Sequence, residues 1–312
     1  MPVIAYLGPE GTFTEAALRA IEANGLVPVA ATADAAPEPV TPLPADSTYA
    51  ALAAVRAGDA HFACVPIENS IDGSVIPTLD SLADGTPLQI FAELTLDVAF
   101  TIAVRTDTAI ADVRTVAAYP VAAAQVRRWL AEHLPDAELV PAHSNAAAAQ
   151  DVAAGRADAA VSTALATRRY ELTAMAGDIV DEPNARTRFV LVGRPGRPPA
   201  CTGADRTSVV LRLSNVPGAL VSAMTELAVR DIDLTRIESR PTRTELGTYK
   251  FFLDFVGHIE DASVAEALRA LHRRCEDVRY LGSWPTGDVI GASPPPMDEA
   301  TEWLERLREG RP

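Results

Sequence analysis

The chain is poor in cysteine and in aromatic residues, has no long apolar run, and is short of positive charge. Its three cysteines, Cys64, Cys201 and Cys275, are odd in number, far apart and without metal-ligand spacing. That pattern argues against a disulfide framework or a thiolate metal site, and it fits a reducing compartment. No uncharged apolar stretch approaches the roughly eighteen residues a membrane span needs. The first residues, Met1 to Gly8, lack the basic region and apolar run of a signal peptide, so the chain reads as cytoplasmic. Lysine and arginine total 27 against 42 acidic residues, a formal net charge of −15. General nucleic-acid binding needs a basic footprint that displaces counterions, and it is disfavoured here. An anionic small molecule remains possible, provided it meets a local cluster of donors against the overall field.

What is present is enough for two or three domains with real cores. Strand–helix alternation up to residue 193 predicts α/β layers, with doubly wound, mainly parallel sheets. A strand over 3–7 ends in Gly8-Pro9-Glu10-Gly11-Thr12-Phe13-Thr14-Glu15. The glycines permit a tight turn, Thr12 or Thr14 can cap a helix, and the first helical N–H groups offer an anion site. A plain βα turn explains the same residues. The spacing lacks the third glycine of a dinucleotide fingerprint and any Gly-Lys-Ser/Thr, which sets nucleotides aside. Residues 28–46 read as a loop, 49–57 as a helix stopped by Gly58, and 61–65 as a strand.

A second polar loop follows. Glu68, Asn69, Ser70, Asp72 and Ser74 crowd around Gly73 at a strand end, where open α/β sheets place ligands. Turn formation and capping is the alternative use of such residues. Strands over 88–104, 115–118, 139–140 and 158–161 then alternate with helices over 76–82, 121–133, 145–154 and 163–170. Gln125 lies on the second of these helices and by spacing alone reads as a surface residue.

Arg186-Thr187-Arg188-Phe189 opens another strand. Alternation puts Arg186 and Arg188 on one face and Thr187 and Phe189 on the other. Arginine suits a planar two-oxygen acid, and a hydroxyl beside it can donate to a leaving oxygen. An edge strand with solvated arginines accounts for the four residues equally well. Residues 194–205 have linker composition. Residues 206–285 then read βαββαβ, the ferredoxin-like split arrangement, whose exposed edge invites pairing with a second copy. In the tail from 286 to 312, Pro294-Pro295-Pro296 precedes a segment with Ala300, Trp303, Leu304 and Leu307 on one helical face.

Five motifs carry a family resemblance. Gly8-Pro9-Glu10-Gly11-Thr12-Phe13-Thr14-Glu15-Ala16-Ala17, Val65-Pro66-Ile67-Glu68-Asn69-Ser70 and Thr187-Arg188-Phe189 occur in the order found in prephenate dehydratases. Asn215-Val216-Pro217-Gly218-Ala219-Leu220 and Ile237-Glu238-Ser239-Arg240-Pro241 resemble the two signatures of an ACT regulatory domain. The resemblance covers most of residues 3–285, in the bacterial monofunctional form, with no chorismate-mutase helices before residue 1. It implies a two-lobed catalytic region over 1–193, like a periplasmic binding protein. Lobe one would span about 1–76 and 163–193, lobe two about 77–162, with the site in the cleft between them.

The resemblance further implies conversion of prephenate to phenylpyruvate, water and carbon dioxide, with neither redox cofactor nor metal. Thr187 would be catalytic; Arg188, Phe189, Asn69, Ser70, Gln125, Gly11, Thr12, Gly73 and Ser74 would bind substrate. Arg186, outside the three-residue core of its motif, is supporting. Ala118-Tyr119-Pro120-Val121 departs from the family's Ser-His-Pro-Gln. For the ACT domain the resemblance implies L-phenylalanine as effector, met by Asn215, Pro217, Gly218, Ala219, Leu220, Glu238, Ser239 and Arg240. Pairing into a homodimer or homotetramer would follow. Arogenate dehydratase and a non-catalytic aromatic-acid sensor are the competing functions.

Overall fold

The computed structural model describes residues 1–28, 39–287, 291–294 and 298–311. The chain opens with β1 (Val3–Leu7), α1 (Phe13–Ala23), β2 (Thr41–Ala45), α2 (Thr48–Ala57) and β3 (Phe62–Asn69). Next come β4 (Gly73–Ser74), α3 (Ile76–Ala83), β5 (Gln89–Asp97), β6 (Phe100–Val104) and β7 (Thr115–Ala118). They are followed by α4 (Pro120–Gln125), α5 (Arg127–His133), β8 (Glu138–Pro141), α6 (Asn145–Ala153) and β9 (Ala159–Ser162). The α/β part closes with α7 (Ala164–Arg169), β10 (Thr173–Ile179) and β11 (Arg186–Gly193). Beyond it lie β12 (Asp205–Arg212), α8 (Ala219–Ala228), β13 (Leu234–Pro241), β14 (Tyr249–Val256), α9 (Ala262–Arg274), β15 (Asp277–Pro285) and α10 (Asp298–Arg308).

Two compact units result. One holds residues 1–79 and 94–191; the other holds 80–93 and 192–312. The division after 191 falls close to the expected linker, but residues 80–93 count with the C-terminal unit rather than with lobe two.

Each lobe has its own sheet. The first runs β2-β1-β3-β11-β5 with β4 added to β3, and β1 lies parallel to both β2 and β3. The second runs β10-β6-β9-β7-β8. Here β6 is antiparallel to β9 and β10, while β7 is parallel to β8 and β9. This sheet is therefore mixed, not mainly parallel. β10 escaped the sequence because Thr-Ala-Met-Ala-Gly-Asp-Ile has small and polar residues and no alternation, and it pairs through its backbone with bulges. The expected loop over 28–46 ends instead in β2, whose Thr41 to Ala45 pair residue by residue with Val3 to Leu7; positions 29–38 lie outside the described residues.

Local chemistry explains the helices. Ser47 caps α2 by accepting from the Ala50 amide, and Gly58 ends it at φ 91°, a left-handed conformation suited to glycine. The single helix expected over 121–133 is two, broken at Val126. Asp181 takes up the groups the break exposes: its amide donates to the Gln125 carbonyl at 2.7 Å, and its carboxylate accepts from the Arg128 amide at 3.0 Å.

The C-terminal sheet has the order β13-β14-β12-β15, all antiparallel, as the split βαββαβ pattern requires. Val209, Leu211, Leu227, Phe255 and Leu271 fill the core between this sheet and α8 and α9. Within the same unit the Trp284 indole donates to Glu93 at 3.0 Å, so the start of β5 is held by a buried hydrogen bond. In α10, Trp303, Leu304 and Leu307 are all exposed, while Pro295, Pro296 and the Ala300 side chain lie outside the described residues.

Candidate active site

Two strand ends of the first sheet supply the first polar groups. β3 ends at Asn69 and β11 begins beside it, so a side chain from each strand meets at the sheet end. The Asn69 amide nitrogen donates to the Thr187 hydroxyl at 2.9 Å. Its amide oxygen accepts from the Ile71 and Asp72 amides at 2.8 and 3.0 Å. Those two donors fix which way the amide points, so the nitrogen must face Thr187. Thr187, buried at 9 % exposure, thus receives one hydrogen bond and keeps its own proton to give.

The neighbouring residues are engaged within the protein. Arg188 is 7 % exposed and pairs with Glu68 at 3.0 Å, so its charge is already answered inside the protein. Phe189 is 2 % exposed and belongs to the core. β11 lies between β3 and β5 and both of its faces are packed here, so Thr187, Arg188 and Phe189 are all buried although they alternate in side. Arg186 is exposed and pairs with Asp97 at 2.8 Å. Ser70 holds the entrance of β11: its hydroxyl donates to the Asn184 carbonyl at 3.0 Å and accepts from the Arg186 amide at 2.8 Å. Gly73 and Ser74 form β4, paired with Asn69 and Glu68, so the second polar loop is a tight hairpin.

The glycine loop is likewise engaged internally. The Gly11 amide donates to Glu15 Oε2 at 2.6 Å and its carbonyl accepts from Thr163 at 2.6 Å, so both of its backbone groups are engaged internally. Thr12 caps α1, accepting from the Glu15 amide at 3.3 Å and donating to the Leu7 carbonyl at 3.0 Å. Glu15 Oε1 accepts from Arg169 at 2.8 Å, which ties α7 to the loop. Burial, together with Glu15 and Glu10 nearby, pushes the Tyr6 phenol up to about 12, so it stays protonated at neutral pH.

A cleft of about 770 Å³ opens beside this loop. Gly8, Thr12 and Phe13 line one side; Tyr119, His143 and Asn145 come from the second lobe. Phe13 meets Phe100 edge-on, with ring centroids 5.6 Å apart, and gives the cleft an apolar face. Asn145 begins α6 after its cap Ser144, and its side-chain Oδ1 is buried without a hydrogen-bond partner. A second cavity of about 630 Å³ holds Gln125 beside Ile71 and Asp72, and the Gln125 Oε1 is also buried and unpartnered. Buried amides with no internal partner are uncommon and call for a ligand or a water. Sequence reasoning missed Asn145 and His143, because His143-Ser144-Asn145 reads only as a helix cap.

The ACT unit carries a cavity of about 230 Å³, lined among others by Asn215, Gly218, Ala219, Leu220, Tyr249 and Phe251. Gly218 sits at φ 82° and gives α8 no side-chain cap; of the first-turn amides, that of Ala219 donates to the Val216 carbonyl at 3.2 Å. Pro217 lines an adjoining cavity with Arg274. Glu238, Ser239 and Arg240 lie on β13, outside the lining of either. Arg240 makes contacts of 3.2 and 3.4 Å with Asp80 instead.

Two α/β lobes with a hydroxyl site at strand ends of the first, followed by a ferredoxin-like module with its own small cavity, fit a regulated small-molecule enzyme. The prephenate dehydratase family model matches residues 4–197, and the ACT domain model matches 207–273. The chain belongs to the prephenate dehydratase family. A prephenate dehydratase of Mycolicibacterium vanbaalenii is 84 % identical over 312 residues, all of both chains. The structure of a prephenate dehydratase from Arthrobacter aurescens in complex with L-Phe is 38 % identical, TM-score 0.86, covering 98 % of this chain and 99 % of that one. A structure described as a novel type of quorum-quenching acylase is 29 % identical, TM-score 0.78, covering 91 % and 98 %.

Proposed function

We propose that the chain converts prephenate to phenylpyruvate, water and carbon dioxide, with Thr187 meeting the departing ring hydroxyl. The observation that carries the site assignment is the Asn69–Thr187 hydrogen bond of 2.9 Å, which leaves the threonine proton available. As the bond from the ring to its carboxylate breaks, the electron pair moves through the ring diene and expels the hydroxyl, leaving an aromatic ring. Negative charge grows on the expelled oxygen, and a fixed donor stabilises it where it forms. Thr187 is that donor, and the proton that completes water passes through it as a relay. A positioned proton donor typically contributes about 10²–10⁴-fold.

Both substrate carboxylates need donors too. The first turns of α1 and α6 border the cleft, and the Asn145 amide stands beside the second. Gln125 contributes a further amide from the 630 Å³ cavity. Arg188 is buried against Glu68, so its part is to hold β11 and keep Thr187 in place. Gly11 and Phe189 support the fold, and Thr12, Ser70, Gly73 and Ser74 shape the loops around the cleft.

Phenylalanine is the effector in this reading, bound at the ACT cavity, with homodimers or homotetramers formed through ACT domains. The L-Phe complex of the Arthrobacter relative supports it. A cytoplasmic location agrees with three free cysteines. Product absorbance with prephenate and with arogenate tests the function. Phenylpyruvate formed from prephenate supports it; preference for arogenate, or binding of either without turnover, overturns it. Calorimetry and light scattering with phenylalanine test the regulatory half, which fails if neither heat nor mass nor turnover changes.

A further inference from the structure

α3 is fastened differently at its two ends. At the first turn the Thr78 hydroxyl donates to the Pro66 carbonyl, and the Val75 amide just before the helix donates to the Ile67 carbonyl at 3.0 Å. Both acceptors lie on β3. At the last turn Arg240 of β13 grips Asp80 at 3.2 and 3.4 Å, and Arg243 reaches the same carboxylate at 2.5 Å. Lys250 of β14, the only lysine in the chain, pairs with Asp84 just past the helix. Arg279 of β15 donates to the Leu82 carbonyl at 3.2 Å. Four cations around a helix C-terminus complement its partial negative charge. Asp80, Arg240 and Lys250 are partly buried, so these pairs are less screened than ordinary surface bridges.

The hairpin that carries three of these cations also walls the ACT cavity. Gly247, Thr248, Tyr249 and Phe251 line it, while the strand register sets Arg240 opposite Lys250 and Pro241 opposite Tyr249. A ligand that shifts the hairpin therefore shifts the groups holding α3. At the far end of the same series of contacts, β3 finishes in Asn69, the residue that donates to Thr187.

We propose that Arg240, Arg243, Lys250 and Arg279 form a clamp on α3 through which occupancy of the ACT cavity sets the position of β3 and of the Asn69–Thr187 bond. The proposal rests on phenylalanine being the ligand of that cavity. It gives Arg240 a task other than effector contact. A ligand shifts an equilibrium only by its differential affinity for two states, and the clamp is where the states differ.

The test uses the full chain with Asp80→Asn and Asp84→Asn combined. Turnover is measured with and without saturating phenylalanine, and phenylalanine binding by calorimetry. Basal turnover stays within about twofold and binding persists, while the effect of phenylalanine on turnover falls about fivefold or more, a common scale of coupling. An undiminished effect overturns the clamp; so does lost binding, which makes the two carboxylates part of the pocket. If phenylalanine fails to bind the unaltered chain, or binds without changing its turnover, the regulatory reading itself has failed. A second measurement needs no variant. Reductive methylation with carbon-13 places a single side-chain lysine reporter at Lys250, and phenylalanine shifts its signal. An unmoved signal beside a full effect on turnover overturns the proposal.

Discussion

Asn69 and Thr187 lie 118 positions apart in sequence and share a hydrogen bond of 2.9 Å, with the amide as donor. The orientation is enforced by the turn that Asn69 itself closes at Ile71 and Asp72. One residue thus shapes the hairpin and fixes the hydroxyl. Asn69→Ala should lower kcat about tenfold, the upper end of a single neutral hydrogen bond, with a smaller change in KM. Steady-state kinetics with prephenate checks it.

Asn145 stands at the cleft with a buried, unpartnered amide oxygen, a state that substrate or ordered water relieves. Removing the amide takes a contact from the substrate and nothing from the protein's own network. Asn145→Ala is expected to raise KM by about five- to tenfold and leave the unfolding midpoint within about a degree. Kinetics and thermal unfolding together separate this from a folding role.

Gly11 is required by space and by backbone. At φ 89° an added Cβ would lie 2.9 Å from Ala166 Cβ and 3.1 Å from its Cα. Gly11→Ala should destabilise the chain by about 2–4 kcal/mol, from strain and overpacking together. Urea unfolding measures it, and loss of activity should follow stability.

Asp158 gives a pH signature. The Arg114 amide hydrogen bond, then those of the Thr115 hydroxyl and amide and the charge of Arg105, outweigh partial burial and hold its carboxyl below the usual carboxylate range. A depressed folded value means the ionised form favours folding. Its contribution is full above the unfolded value of about 4 and is lost as pH falls through the folded value. Asp158→Asn should therefore lower stability at neutral pH, and the gap to the unaltered chain should narrow as pH falls below about 4. Unfolding curves across that range decide it.

The sequence made the ferredoxin-like module readable because each of its elements has a clear period and a turn between neighbours. The first sheet was readable only in part: two prolines hide β2, which pairs in full with β1, and β5, expected with lobe two, joins this sheet while β10, expected with lobe one, joins the other. β10 stayed hidden because backbone pairing, not side-chain pattern, makes it a strand. Within the site, Thr187 and Asn69 were legible as motif positions, but their hydrogen bond joins segments that only the sheet brings together. Arg188 and Phe189 were legible as members of the Thr-Arg-Phe motif, but their burial on a strand packed on both faces was not. Asn145 gave no signal, since a polar residue at a helix start is usually just a start.

The central claim is that the Thr187 hydroxyl assists departure of the ring hydroxyl. Turnover of prephenate by Thr187→Ala, with the fold verified by circular dichroism, tests it most directly. kcat should fall about a hundredfold or more with KM little changed, and Thr187→Ser should recover part of the loss because it restores the hydroxyl. Near-normal turnover by a folded Thr187→Ala variant would contradict the account.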